Sequence, residues 1–518
     1  MDTITKDFTA VIPFREISLP PLGSLASNIL LFSLTVIAIL LVPSIYQGLT
    51  CPLGHIPGPW YTRFTDWVLT YKWAVGQRSF YVHELHKKYG PVVRITPDEV
   101  DICDVAAKQI IYTTKEKFIK SPWYQGLVGI SGDNIFTTQN VDAHRRYRRL
   151  LSGPLSETSL KTVEPVIRER ADLAMQRIDE DIKAKGFVDV YKWTMFMATD
   201  IIGELAFGES FRCLEHGEVT QYIKDLSSIA TADAFRTTFP KIVGFIQKHR
   251  IPTPIEGINN AVTVGNNLRT YAEQSLQRYH KLVEADPYQV KPMLFTKVIK
   301  AGEEDNLTFD EIVDNARSYI IAGSDTTAHS LTYLFWSVCK NRKIHARLTE
   351  ELRTKLPRDD HEITDEHLRD LPYLNCVIEE TLRLWSAAPS ALPRSVPAEG
   401  ATLSGYHLPG STTVCTQAYS LHRDDKIFKD PEQFIPERWE EGNATKQMKD
   451  AFFAFGGGAR VCVGLHLARM ELRLLTALFF RTYPNAMVST RDGMCDADME
   501  PLIWFLLSPK GKRCLIEP

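Results

Sequence analysis

The chain has 518 residues and a formal net charge of −3, with 44% hydrophobic and 24% charged residues. That balance is ordinary for a globular protein and excludes disordered, collagen-like and low-complexity classes. The near-neutral charge argues against a nucleic-acid binder, which carries a strong basic excess. Length alone suggests about three domains at ~150 residues each, with ample chain to bury a large core and a cofactor.

No Asp, Glu, Lys or Arg occurs between Glu16 and Arg63. Inside this gap, residues 22–42 form an apolar run framed by Pro20-Pro21 and Pro43. As a helix rising ~1.5 Å per residue, the run matches a hydrocarbon core of ~30 Å. The following Pro43-Ser44-Ile45-Tyr46 lacks the small residues of a signal-peptide cleavage site. The expected organisation is an N-terminal tail over 1–21, an uncleaved transmembrane anchor over 22–42 and a proline-containing linker over 43–59. One large unit follows over 60–518, because no second linker, repeat or biased tract interrupts it. The flanking charges Lys6, Arg15 and Arg63 are too few to set membrane orientation.

Helical periodicity dominates the large unit. From Val163, the residues Ile167, Ala171, Ala174, Ile178 and Ile182 share one face, and Gly186 closes the helix. Thr308-Phe309-Asp310-Glu311 reads as a capping box that opens a pattern running to about Cys339. Such a helix far exceeds the mean of ~11–12 residues and must cross the whole domain. Further helices are expected over 372–385 and from Gly464 to about Phe480. Strand-like pieces are short: 92–96, 411–416 and 503–507. The fold class is mainly α with small β-sheets.

The nine cysteines are scattered and never spaced as Cys-x-x-Cys. This pattern suits neither a disulfide framework nor a structural zinc site. Eight read as plain thiols in a reducing compartment, and Cys462 stands apart. It lies in Phe455-Gly456-Gly457-Gly458-Ala459-Arg460-Val461-Cys462-Val463-Gly464. The glycines permit a tight backbone. The sulfur then sits just before a helix N-terminus, where backbone N–H groups and the dipole favour thiolate. A thiolate held this way is a good ligand for a soft or redox metal. The bland alternative is a buried cysteine in a glycine-rich turn.

This stretch resembles the Phe-x-x-Gly-x-Arg-x-Cys-x-Gly signature of the cytochrome P-450 haem-thiolate monooxygenases. The resemblance implies a cytochrome P-450 fold, an α-rich haem domain after an N-terminal transmembrane helix. It implies haem (iron protoporphyrin IX) with Cys462 as the axial iron ligand, Arg460 on a propionate, and Phe455 and Gly456 around the sulfur. A second constellation is Ala322-Gly323-Ser324-Asp325-Thr326-Thr327, midway along the long helix. Five of these six residues are mediocre or poor helix formers, costing about 2–3 kcal/mol against alanine. Conflict between local sequence and global structure is expected at functional sites. In the family the helix widens here beside the haem. Oxygen would bind against Gly323 and Thr326, and Asp325 would relay the protons that cleave the O–O bond. The alternative is a kink packed closely against a neighbour.

The third constellation is Glu380-Thr381-Leu382-Arg383. Residues three apart share a helix face, but Glu350/Arg353 and Glu366/Arg369 have the same spacing. Order selects Glu380, which follows the Asp-Thr helix and precedes Pro436-Glu437-Arg438-Trp439. The resemblance pairs Glu380, Arg383 and Arg438 in a structural role under the cysteine loop. It also implies propionate contacts from Arg148, from Arg394 and, where the family has Trp, from His144. Arg145, Arg146 and Arg149 would dock an acidic electron donor or form a solvated face. His422-Arg423 would lie close to the haem.

The implied function is insertion of one oxygen atom from O2 into a lipophilic small molecule, by hydroxylation or epoxidation. The proline hinge, Tyr89-Gly90-Pro91-Val92-Val93-Arg94-Ile95 and the cysteine loop are similar to filamentous-fungal enzymes of specialised metabolism. The substrate would then be a terpenoid, polyketide or alkaloid intermediate. No flavin or NADPH domain is visible, so electrons would come from NADPH through a separate cytochrome P-450 reductase. The location implied is the endoplasmic reticulum membrane, single-pass, with a cytosolic catalytic domain. Substrate contacts are expected over 122–136 and 235–246, near Ala322, over 387–392 and near Ile503. The rivals are a reductase-independent haem-thiolate isomerase or dehydratase, a non-catalytic membrane haem sensor, and a haem-free scaffold. The first two have no need of Asp325 and Thr326 as a proton relay.

Overall fold

The computed structural model describes residues 22–128, 132–249, 251–253, 256–285, 294–295, 307–356 and 363–518. The tail over 1–21 lies outside the described residues. Helix α1 spans Leu22–Thr50 and continues through Pro43. Among the described residues no helix is long and apolar enough to cross a membrane, so the anchor expected over 22–42 is without support. Pro43 does not mark its end.

The segment after α1 is fixed to the body by Arg94, which is 1% exposed. Its guanidinium donates to Leu53 O at 3.2 Å, Ile56 O at 2.7 Å, Pro59 O at 3.0 Å and Thr62 Oγ1 at 3.1 Å. A single cation thereby ties together carbonyls of a proline-rich turn, in addition to the turn's own Ile56 N–H bond to Leu53 O at 3.0 Å.

The helices that build the site are α2 (Val141–Leu151), α3 (Glu157–Lys185), α4 (Val190–Phe207), α5 (Gln221–Thr238), α6 (Phe309–Lys340), α7 (Pro372–Leu384) and α8 (Leu465–Thr482). The capping box of α6 is present: Glu311 N donates to Thr308 Oγ1 at 3.2 Å, and Thr308 N donates to Glu311 Oε2 at 2.8 Å. Most of α6 is buried, as befits a helix that crosses the core. Helix α4 lies along it. A Cβ at Gly323 would come within 2.7 Å of Ile202 Cγ1, so glycine allows the two helices to touch. The helix is unbroken through 322–327. Thr326 Oγ1 donates back to Ala322 O at 2.6 Å and Ser330 Oγ to Thr326 O at 2.9 Å. In α3, Ile167, Ala171, Ala174 and Ile178 are all buried. Gly186 ends that helix at φ +80°.

A four-stranded sheet contains β1 (Val92–Arg94), β2 (Glu99–Ile102), β3 (Arg394–Ser395) and β4 (Thr413–Cys415) in the order β1-β2-β4-β3. The β2–β4 pair is parallel, with Val100 opposite Val414. The piece expected as one strand over 503–507 is instead a hairpin, β5 (Pro501–Ile503) and β6 (Leu507–Pro509). Its apolar tip stays inside because Phe505 and Leu506 line the central cavity.

The buried carboxylate of Glu380 ties α7 to the segment that leads to the cysteine loop. It accepts from Arg383 Nε and Nη2, both at 2.8 Å, and from Arg438 Nε at 3.0 Å. Ile435 N at 2.9 Å and Trp439 Nε1 at 2.9 Å complete its shell. Both Glu380 and Arg383 are fully buried. Removing one member leaves a buried charge without compensation, which costs about 3–5 kcal/mol. Glu380→Ala is therefore expected to lower unfolding stability by that amount in denaturant titrations. A loss below ~1 kcal/mol, the worth of an exposed pair, would show that the cluster holds little together.

Candidate active site

The loop between Phe453 and Gly464 is built by backbone constraints. Gly456 and Gly458 adopt φ of +68° and +63°, and a Cβ at Gly458 would collide with Tyr112 O. Cys462 N donates to Phe455 O at 2.9 Å, closing the loop under the sulfur. His422 secures its start. Nε2 accepts from Phe453 N at 2.7 Å and Nδ1 faces Arg383 O at 2.8 Å. These partners require the neutral tautomer with hydrogen on Nδ1. Burial agrees, holding the His422 pKa down at about 3. His422 thus braces the loop and does not line the cavity, contrary to the expectation of a haem-proximal role.

Cys462 opens onto a cavity of about 370 Å³. It counts as exposed although protein surrounds it, because its accessible surface faces that cavity. Burial raises its thiol pKa, and the Gly464 N–H and the Arg148 charge pull the other way. The helix-terminus effect expected from sequence is real but smaller than desolvation in the protein alone. Phe455, Gly456, Arg460, Arg148, His144 and Arg394 line the same cavity, and so do Gly323 and Thr326. Eight residues expected from sequence to surround a cofactor or its oxygen therefore meet Cys462 in one space. Asp325 does not line it; its carboxyl is buried behind α6, which pushes its pKa up to about 7.

Cations crowd one part of the wall. Arg460 donates from Nε to Glu116 Oε2 at 2.7 Å and from Nη1 to Thr138 O at 3.0 Å. Arg148 Nη1 donates to Val461 O at 2.6 Å, and Arg394 Nη1 to Phe118 O at 3.2 Å. Arg460 Nη2 and Arg394 Nε are buried with no hydrogen-bond partner. His144 Nδ1 is 3.4 Å from Glu116 Oε1. Burial, with Arg460 nearby, lowers its pKa to about 4, so that contact involves a neutral ring.

Two residues here escaped the sequence reading. Lys120 lines the cavity, and its ammonium lies 4.0 Å from the ring centroids of both Tyr124 and Phe136. It donates to Phe136 O. Burial, then Arg394 and Arg460, drives its pKa well below the ordinary lysine value. Glu116 is the buried anion beside Arg460. Neither belongs to a spaced motif, so only the surrounding basic residues hint at them.

The rest of the cavity is mainly apolar. Ile202, Ile321, Ala322, Ala387, Phe505 and Leu506 contribute, with Asp233 and Arg317 as charged exceptions. Helix α5 lines it through Ile229, Ala230 and Asp233. The expected contact over 235–246 is thus displaced: Phe239, Ile242 and Phe245 point outward instead.

A sequence model of the cytochrome P-450 family matches residues 57–515. The chain belongs to the cytochrome P-450 family. Among its relatives is the cytochrome P-450 monooxygenase tazI of Aspergillus terreus, 45% identical over 480 residues, covering 92% of this chain and 96% of the relative. The monooxygenase orf2 of Aspergillus niger is 42% identical over 483 residues, covering 93% and 96%. The monooxygenase azaI of the same species is 40% identical over 450 residues, covering 83% and 94%. Family membership carries haem-thiolate monooxygenation with electrons from a redox partner. The structure suits a cytochrome P-450 cofactor. The orphaned Arg460 Nη2 and Arg394 Nε are donors fit for carboxylates, and the Cys462 sulfur opens onto the same cavity.

The Asp325 carboxyl gives a pH test. Its folded-state pKa of about 7 lies above the ordinary aspartate value of 3.8. Between those values the folded state holds more protons than the unfolded state, so this group makes stability fall as pH rises. At about 1.4 kcal/mol per pH unit, the penalty at pH 8 reaches about 4 kcal/mol. Asp325→Asn is expected to be more stable than the parent at pH 8, with the difference shrinking towards pH 4. Parallel stability curves for the two proteins would contradict the buried-acid assignment.

Proposed function

We propose that this cytochrome P-450 inserts one oxygen atom into a lipophilic small molecule of fungal secondary metabolism, with Cys462 as the axial thiolate. The observation that carries the reading is the convergence of Cys462, unpaired donors of Arg460 and Arg394, and Thr326 on one cavity. When bound, haem supplies oxygen activation and its insertion into a C–H or C=C bond. Arg460, Arg394, Arg148 and Lys120 would hold the propionates, with His144 as a neutral neighbour. Phe455 and Gly456 shape the space around the sulfur. Gly323 lets α4 close against α6 beside the cavity.

Thr326 holds a hydroxyl at the cavity wall, and Asp325 stores a proton one residue away. A carboxyl with a pKa of about 7 is protonated and deprotonated with equal ease at neutral pH. Apolar walls keep bulk water away from the reacting position. Asp233 and Arg317 suit a substrate that is mostly hydrocarbon and bears a polar oxygen function at one end. Electrons would arrive from NADPH through a separate reductase docking on the basic surface of α2, where Arg145 is exposed.

Association with a membrane surface, the endoplasmic reticulum in a fungal cell, is part of this reading. Leu30, Leu31, Phe32 and Ile39 of α1 and Phe239, Ile242 and Phe245 beside α5 all expose large apolar side chains. Such a surface is unfavourable in water and suits a lipid boundary.

The reduced protein with carbon monoxide is expected to show the long-wavelength Soret band of thiolate-ligated haem, and Cys462→Ala is expected to lose it. An unchanged band in that variant would overturn the ligand assignment. With a competent reductase, Thr326→Ala is expected to retain haem but to release hydrogen peroxide, so that product per NADPH falls several-fold. Turnover without NADPH or reductase would instead favour an isomerase or dehydratase.

A further inference from the structure

Apart from the cations grouped around Arg460, the cavity wall carries two further charged side chains, Asp233 of α5 and Arg317 of α6. Arg317 is buried. Their surroundings hold them in place. Asp233 Oδ1 accepts from Arg236 Nη1 at 2.7 Å, and the same nitrogen donates to Leu127 O at 3.0 Å. Arg236 is packed against Gly265 of the helix spanning Glu256–Ala285, where a Cβ would come within 3.0 Å of its Nη2. Asp314 lies three residues before Arg317, on the same side of α6. It accepts from Gly132 N at 2.9 Å and pairs with Arg269. The negative charges acting on Arg317 are those of Asp314 and Asp233. Arg269 also holds Glu273 and Asp310, so the carboxylates here offset all three guanidiniums.

The chemistry of these two wall groups selects a ligand. A guanidinium only donates hydrogen bonds, and a carboxylate only accepts them. Burial raises the Asp233 pKa to about 6 against the pull of Arg236 and Arg317, so the carboxylate form prevails at neutral pH. A ligand that serves both groups presents an acceptor and a donor side by side. The fixed charges already balance, and Asp233 repels an anion, so the matching group is neutral. A hydroxyl next to a carbonyl meets every condition, with the carbonyl oxygen toward Arg317 and the O–H toward Asp233. A site with buried polar groups discriminates strongly against an analogue that leaves one of them unpaired.

The helix sets the distance from this end of the cavity to the reacting position. Arg317 precedes Thr326 by nine residues on an unbroken helix, a separation of about 13 Å along its axis. The wall between them includes Ile321 and Ala322, which offer only apolar contact. We infer that Arg317 and Asp233 are specificity-determining residues that hold a neutral hydroxy-carbonyl unit at one end of the substrate, so that oxygen enters its apolar body roughly 13 Å farther along. The inference rests on the reading of Thr326 as the residue beside the reacting carbon. It narrows the substrate to an elongated, uncharged molecule with a carbonyl and a hydroxyl on neighbouring carbons at one end and hydrocarbon at the other.

The test uses the haem-loaded full chain in detergent and three probes: decyl hydroxymethyl ketone, decyl methyl ketone and dodecanoate. Calorimetry gives each Kd without turnover. The parent is expected to bind the hydroxymethyl ketone about tenfold or more tightly than either of the others. Arg317→Met is expected to erase that preference while keeping the carbon monoxide band. Asp233→Asn keeps an acceptor for the hydroxyl and for Arg236, and is expected to tighten dodecanoate several-fold because the repelling charge is gone. Equal affinity of the parent for the two ketones would overturn the inference, since the hydroxyl would then go unread. Tightest binding of dodecanoate by the parent would overturn it in favour of an anion site, and an unchanged preference in Arg317→Met would remove Arg317 from the site. Should Arg317→Met fail to fold, the parent's ranking and Asp233→Asn decide. With a competent reductase, the hydroxymethyl ketone is expected to be oxidised toward the far end of its chain; oxidation beside the carbonyl would overturn the spacing. The expected ranking without any turnover would uphold the binding site and overturn the oxygenation reading instead.

Discussion

The carboxylate of Glu380 is taken fully out of water together with the guanidinium of Arg383, and the loop that carries Cys462 depends on that transfer. Two charges in low dielectric are tolerable only when every donor and acceptor is used. Here Arg383 also donates to His422 O, Pro431 O and Gln433 O, at 2.7, 2.7 and 3.0 Å. One ion pair therefore fixes three carbonyls in two stretches of irregular backbone. His422, held by Arg383 O, passes the restraint to Phe453 and so to the start of the cysteine loop. The position of the sulfur is set by polar satisfaction well outside the cavity.

The cavity shows the opposite economy. Around it, polar groups are left incompletely paired. Arg460 spends one nitrogen on Glu116 and one on Thr138 O, and keeps a third toward the interior. His144 has been pushed to its neutral form by burial and then by the same cations. A neutral histidine supplies one N–H where the family's Trp also supplies one, which gives a physical reason why the exchange is tolerated. Around the cavity, buried donors left without a partner are where a bound group would be received.

Legibility from sequence varied with the range of the interaction. The α6 helix was readable at its start because the capping box is local: Thr308 and Glu311 are three residues apart and need no partner elsewhere. Gly186 closed α3 for the same reason. The 503–507 segment misled because an unbroken apolar run looks alike whether a strand continues or turns its tip into a cavity. At 22–42 the lack of charge was readable, but nothing local to Pro43 revealed that the helix continues through it to Thr50. Lys120 and Glu116 were invisible because a buried cation and anion carry no spacing signature.

By itself the sequence determined the chemistry available. A thiol stands at a helix start, an acid and an alcohol stand side by side on a long helix, and Glu380 and Arg383 share a helix face. Each depends only on residues a few positions apart. The tertiary structure alone decided which of three similar Glu-x-x-Arg pairs is buried and which face of α6 meets the cavity. It also decided that Thr326 looks into that cavity while Asp325 is buried away from it. Those outcomes depend on solvent exclusion, and burial is a property of everything packed around a residue, which no local stretch of chain contains.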